Sequence, residues 1–407
     1  MRIALFHNLP SGGAKRALHE WARRLAPSHR LDVYTTTSAD HGFCDIRPFA
    51  QRYRVFEFAP RRLFDSPWGR LNQLQRWRDL GDLERLAHRI ASEIDDGSYD
   101  VVFAHTCLHT TIPTLLQFLA TPAVYYLHEA IGQASVRRFS RPYLRQNRWR
   151  KLLDRLDPLI ALYTRRLDTL QRRSIRRVSL LLANSHFTRQ QMQDAFAVQP
   201  PVCHYGVDSD GFRPLAGARR ADYVLSVGEL SPRKGFDFIV QSLQRISPAR
   251  RPRLKLACNS VDPLERAYVE SLAAHNGVDL QIETNLDTAE LALLYGQARL
   301  CVYAPVLEPF GLVPLEAMAC GTAVVGVAEG GVQESIIHGV TGLLTDRDPV
   351  QFAGAVEYLL SDPALASAYG RNGREAVLSH WTWEQSTAAL EDYLHACACV
   401  RGVKAFS

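Results

Sequence analysis

The sequence predicts an α/β protein made of two parallel-sheet domains, and three observations carry that reading. First, the chain has 407 residues, 46% of them hydrophobic, which suits two or three domains of ordinary size. Second, it opens with the apolar run RIALF, the polar turn HNLPSGG and an amphipathic stretch in which Ala17, Leu18, Trp21, Ala22 and Leu25 recur at helical spacing. Third, the same opening returns: after FRPLAGARRAD (Phe212 to Asp222), a segment of linker composition, YVLSV leads through Gly228 into GFDFIVQSLQRI.

The elements between these openings follow in order. LDVYTT, RVFEF, DVVFA, AVYYL and SLLLA read as strands of the first half, and RLKLA, DLQIE, LCVYA and AVVGV as strands of the second. Such short β-rich runs, separated by turns or amphipathic stretches, fit parallel sheets covered on both faces. The expected domains are residues 1–213 and 214–382. A final amphipathic stretch at 383–400 has to pack on one of them.

Composition excludes several classes. With 22% charged and 9% aromatic residues the chain is neither disordered nor fibrous. No stretch approaches the roughly 18 apolar residues of a membrane span, and the run Met1 to Phe6 is too short for a secretory leader, so a cytoplasmic protein is expected. The eight cysteines lack zinc or disulfide spacing and read as reduced. Signatures of P-loop, dinucleotide, zincin and nucleophile-elbow enzymes are missing, as is an Asp-x-Asp metal motif in the cleft-forming turns. No cofactor, metal or nucleic-acid partner is expected.

Charge is concentrated. Residues 131–180 carry fourteen Lys or Arg against three Asp, a net +11 in a chain of net +6. Arg137, Arg138, Arg141, Arg145 and Arg148 recur at three- and four-residue steps with Phe139, Tyr143, Leu144 and Trp149 between them, a pattern suited to one helical face on an anionic membrane surface.

The densest run of unusual residues is EPFGLVPLEAMACGTAVVGVAEGGVQE, Glu308 to Glu334. Pro309 and Gly311 make a turn before a helix expected to start at Leu312 or Val313, so the backbone N–H groups of Phe310, Gly311, Leu312 and Val313 can receive polar or anionic oxygens. Glu308 and Glu316 offer carboxylates to paired sugar hydroxyls. Gly12 and Gly13 allow close backbone approach at the first helix, and Arg233 and Lys234 in SPRKG can neutralise a diphosphate. His128 lies at the carboxyl end of AVYYL; His7, His105 and His109 are weaker candidates.

Here the chain resembles the GT-B retaining glycosyltransferases of the GT4 family, the glycosyl transferases group 1. Glutamate, seven residues, glutamate, then a GGxxE turn is that family's mark, and SGG at 11–13, YLHE at 126–129, ANSHFTR at 183–189, YGVD at 205–208, VGELSPRKG at 227–235 and GLL at 342–344 follow its order. The resemblance implies two Rossmann-like domains facing a central cleft, with the C-terminal helix returned to the first. It implies transfer of a sugar from a nucleoside-diphosphate sugar, without a metal, to a hydroxyl acceptor that is a glycan, glycolipid or small molecule. By resemblance Glu308 contacts the transferred sugar, Glu316 the donor ribose, and His128 faces the sugar, with Glu283 to Asp287 near the base. One departure stands out: the family has an arginine where this chain has Glu229.

Overall fold

The computed structural model describes residues 1–65, 68–129, 139, 141–143, 157–215, 217 and 219–399. Six strands form the first sheet: β1 (Arg2–Asn8), β2 (Arg30–Thr36), β3 (Arg52–Phe56), β4 (Val101–Cys107), β5 (Ala123–Leu127) and β6 (Leu180–Ala183), in the order β3-β2-β1-β4-β5-β6. Six more form the second: β7 (Tyr223–Val227), β8 (Arg253–Cys258), β9 (Leu280–Thr284), β10 (Leu300–Tyr303), β11 (Val324–Val327) and β12 (Gly342–Thr345), ordered β12-β11-β10-β7-β8-β9. Every pair within these sheets is parallel. Each is therefore the doubly wound 3-2-1-4-5-6 arrangement, with a crevice at the carboxyl ends of its first and fourth strands. β12 is the strand that periodicity missed, since GLLT is short and only its Gly342 is buried.

Burial explains why the apolar runs become central strands. β4 and β5 are buried at every position, as a parallel sheet covered on both faces requires. Helix α1 (Gly13–Leu25) sends Ala17, Leu18, Trp21, Ala22 and Leu25 into the core, the stripe its sequence spacing set. The other helices are α2 (Asn72–Asp95), α3 (Pro158–Ile175), α4 (His186–Phe196), α5 (Phe236–Leu243), α6 (Pro263–His275), α7 (Thr288–Gln297), α8 (Leu312–Ala319), α9 (Val332–Ser335), α10 (Pro349–Ser361), α11 (Pro363–His380) and α12 (Trp383–Cys399).

The chain crosses back at its end. Residue Trp383, 1% exposed, stands edge-on to Trp21 at 5.8 Å, and the Trp21 indole N–H donates to Ser386 Oγ at 3.1 Å. Gly206 lets this crossing happen, because a Cβ there would lie 2.3 Å from the backbone nitrogen of Trp383. Val207 N–H donates to Trp381 O at 2.8 Å in the same place. Helix α12 thus packs on α1, β4 and β5 of the first domain. Cys397 on it is buried and Cys399 exposed, so the two point apart.

The expectation for the basic segment needs correction at Arg141. That residue is not helical and is 8% exposed. Its guanidinium donates to both oxygens of Glu265, itself 0% exposed, and to Asp237 at 2.8 Å, all in the second domain. Tyr143 donates to Glu265 at 2.5 Å. A guanidinium held by two carboxylates is not available to lipid. Arg137, Arg138, Arg145, Arg148, Leu144 and Trp149 lie outside the described residues. No helix among the described residues is long and apolar enough to cross a membrane.

Candidate active site in the interdomain cleft

The turns after β1, β7 and β10 converge on one cleft. Gly12 caps α1 at φ 138°, a conformation that favours glycine, and a Cβ on Gly13 would lie 3.6 Å from Leu312 Cδ1. The start of α1 in one domain therefore faces the start of α8 in the other. Gly311 caps α8 at φ 97°. Glu316 stands in the second turn of α8, which begins at Leu312.

Both glutamates are held by cations. Lys234 donates to Glu308 at 2.9 Å, within the second domain. Burial alone would raise the Glu308 pKa; the charges of Lys234 and Arg233, with the Lys234 hydrogen bond, outweigh it and hold the carboxyl below its ordinary value. Arg233 itself is exposed. Glu316, 4% exposed, accepts from Tyr295 Oη at 2.9 Å and from Arg16 Nη1 at 2.7 Å. Arg16 belongs to α1, so this ion pair spans the cleft. Sequence reasoning missed it, although its position three residues after Gly13 in SGGAKR puts it on the next turn of the same face.

The double-glycine turn is a packing device. A Cβ on Gly330 would fall 2.3 Å from Glu308 O, and one on Gly331 2.4 Å from Pro309 O. Only bare backbone fits there, and Gly331 N–H donates to Glu308 O at 2.8 Å, fixing the loop that carries Glu308. Pro309 O also accepts from Ser185 Oγ at 2.5 Å, which ties this loop to the first domain. The Phe310 side chain is 2% exposed and packs edge-on against Tyr205 at 5.1 Å, leaving its backbone as the part that can meet a ligand.

The histidines behave differently from a surface base. His128, 4% exposed, places Nε2 2.7 Å from His105 Nδ1 and Nδ1 2.5 Å from Tyr205 Oη, and its carbonyl accepts from Asn184 at 3.1 Å. Burial lowers its pKa to about 3 and those of His105 and His7 well below the ordinary value. Both ring nitrogens of His128 are engaged inside the first domain, which holds its imidazole at the end of β5. His109 contacts Ser38 at 3.2 Å. Lys15, 0% exposed, has Nζ 3.4 Å from His7 Nε2, and burial lowers its pKa to about 8. Glu229 is exposed in its turn. Glu283 is the penultimate residue of β9, and Asp287 caps α7 through a reciprocal bond with Glu290.

Two doubly wound domains with their carboxyl edges turned to one cleft, and a carboxylate pair at the start of a helix there, define a GT-B glycosyltransferase. The chain belongs to the glycosyl transferases of group 1 and family 4: residues 213–376 match the first family description and residues 11–210 the second. It is 28% identical to a D-inositol 3-phosphate glycosyltransferase of Geodermatophilus obscurus, over 93% of this chain and 84% of that one. Among solved structures it resembles sucrose-phosphate synthase from Thermosynechococcus elongatus (TM-score 0.73, 22% identity, 97% of this chain and 98% of that one). It also resembles the Anabaena protein HepE, crystallised with UDP-glucose (TM-score 0.69, 20% identity, 97% and 100%).

The buried histidines set an acid limit. A histidine whose folded pKa is depressed takes up its proton in the unfolded chain first, so stability is lost as pH falls below about 6.5. Each such histidine costs about 1.4 kcal/mol at pH 5.5 relative to neutral pH. Urea midpoints should therefore fall between pH 7.5 and 5.5, and His105→Gln should flatten that fall; an unchanged slope in the variant would show that His105 is not held neutral.

Proposed function

We propose that the protein transfers a sugar from a nucleoside-diphosphate sugar to a hydroxyl acceptor with retention at the anomeric carbon and without a metal. The observation that carries this reading is the Lys234–Glu308 pair beside the start of α8. It puts one cation and one carboxylate where a departing diphosphate and a transferred sugar would meet. Lys234 and Arg233 offset the charge that grows on the leaving group, and the backbone from Phe310 to Val313 receives its oxygens. Glu308 accepts from a sugar hydroxyl, and Glu316 holds the donor ribose after parting from Arg16. Gly12 and Gly13 admit the phosphates from the other side.

In the retaining step the acceptor oxygen attacks the anomeric carbon on the face that the diphosphate leaves. The bond from that carbon to the phosphate oxygen breaks, and the acceptor proton passes to the departing oxygen. No protein base is needed, which agrees with the internal engagement of His128. A nucleotide-sugar donor is also what HepE holds in its crystals.

The same reading places the acceptor side near lipid, at the cytoplasmic face of an anionic membrane, with a lipid-linked or polysaccharide acceptor. Support comes from a surface of the first domain where Leu63, Phe64, Leu74, Trp77 and Leu162 are exposed among exposed Arg62, Arg76, Arg78 and Arg165. α2 and α3 are joined there by Arg166, stacked on Trp77 at 4.7 Å and paired with Glu84 at 2.7 Å. Apolar side chains ringed by arginines suit an anionic interface.

Replacing Glu316 by alanine should weaken donor binding at least tenfold in calorimetric titration. Glu308→Ala should leave that affinity within a few-fold and slow single-turnover transfer by about 10²-fold, because its contact tightens as charge develops. Equal donor affinity in Glu316→Ala and the parent protein would reject the assignment.

Transfer should persist in EDTA. Loss that magnesium or manganese restores would show a metal-dependent leaving group.

Phosphatidylglycerol vesicles should sediment the protein at low salt, phosphatidylcholine vesicles should not, and Leu74→Ser with Leu162→Ser should cut binding at least tenfold. Absence of binding to both vesicles would favour a soluble acceptor.

A further inference from the structure

Three side chains that the transfer reaction leaves unused meet where the two domains touch. His186 opens α4 and His204 precedes the YGVD turn, both in the first domain; Glu334 closes the GGVQE turn in the second. One nitrogen of each imidazole and an oxygen of the carboxylate all lie within 4.8 Å of one another. We propose that these residues form a binding site for a transition-metal ion of the zinc type, which fastens the two domains together.

Two of the three ligands are already oriented. Glu334 accepts from the backbone N–H groups of His186 at 2.9 Å and Phe187 at 3.0 Å, so its carboxylate is fixed at the start of α4. Each oxygen keeps a further lone pair outside those bonds. The His204 ring is packed edge-on against Trp381 at 5.0 Å, beside Phe310 at 5.9 Å, and points Nε2 at Glu334 from 3.0 Å. A metal would take the place of the proton in that bond. His186 is exposed, with its ring 5.7 Å from that of His204, and a side-chain rotation brings its nitrogen in. Ligand atoms around a tetrahedral zinc ion at about 2.0–2.1 Å are themselves roughly 3.4 Å apart, so the adjustment is small.

The donor set selects the ion. Two imidazoles and one carboxylate suit Zn2+, Co2+, Ni2+ or Cu2+, whereas Mg2+ and Ca2+ require a shell of oxygens. Three protein ligands leave a fourth position for water. Because the ligands come from both domains, the bound ion opposes their separation. The inference is independent of the donor assignment, since none of the three residues belongs to it, and it does not make the transfer metal-dependent.

Calorimetric titration of the EDTA-treated, desalted full chain with ZnCl2 is the test. One ion per chain should bind, thermal unfolding should shift upward by several degrees, and MgCl2 should do neither. His186→Gln and His204→Gln, which leave the Glu334 helix cap in place, should each weaken Zn2+ binding tenfold or more, while Cys399→Ser, at an exposed thiol, should not. The Co2+-loaded protein should show a visible spectrum without thiolate charge transfer. No binding in the parent chain, or binding that survives both histidine changes, would overturn the proposal; so would loss in Cys399→Ser or a thiolate band.

Discussion

Charge compensation between the two domains is the constraint on which the rest of the structure depends. Arg16 meets Glu316 and Arg141 meets Glu265 and Asp237, each pair joining one domain to the other, and a hydrogen bond joins His204 to Glu334 across the same boundary. Glu265 and Glu316 are almost wholly buried, and burying a carboxylate away from water is costly unless a cation pairs with it. Removing one partner from a buried pair costs about 3–5 kcal/mol, because a charge is left in a poor solvent. The contacts are not simply glue, however. Exposing such carboxylates to water or to a ligand relieves the same penalty, which makes the interface strong when closed and separable when something better arrives.

Much of this arrangement was legible in the chain, and the reason lies in what each pattern encodes. The apolar runs that became β1, β4, β5, β7 and β10 are short, continuous and buried, and those of β1 and β7 lead into glycine turns, so composition marked them. β12 was missed as a strand because three of its four residues are only partly buried and its pairing comes from β11 alone. The glutamate pair and the glycine turn stood out as a dense local motif. Arg16, Tyr295 and Asn184 did not, since their roles arise from contacts between segments 21 to 300 residues apart. His128 shows a different limit. Its place at a strand end marked it as facing the cleft, while the partners that engage its ring, His105 and Tyr205, come from another strand and a distant loop.

Arg141 teaches the same lesson on charge. Along the chain it belongs to a run of arginines at helical steps, and such a run reads as a single solvated face. In the fold it reaches Glu265, whose own position in the first turn of α6 is set by the Asp262 cap. Net charge per segment locates an electrostatic feature, but the buried carboxylate that answers a particular arginine is fixed only by the tertiary contact. The exposed arginines around Leu74 and Leu162 are then the better measure of what the surface offers.

Arg16 and Glu316 connect these arguments to the proposed reaction. In the structure the Glu316 carboxylate is satisfied twice, by a guanidinium from the first domain and a phenol from the second. On the proposed reading a ribose takes the place of the Arg16 bond to Glu316, while Tyr295, fully buried, keeps its bond from within. On that reading donor entry also loosens the first domain, and the released Arg16 is left on the α1 face that carries Gly12 and Gly13. There it is placed to meet the anionic diphosphate, restoring the charge balance with substrate in the position of the protein carboxylate. The departure at Glu229, which removes a cation from the β7 turn, is thus opposed by one supplied from across the cleft.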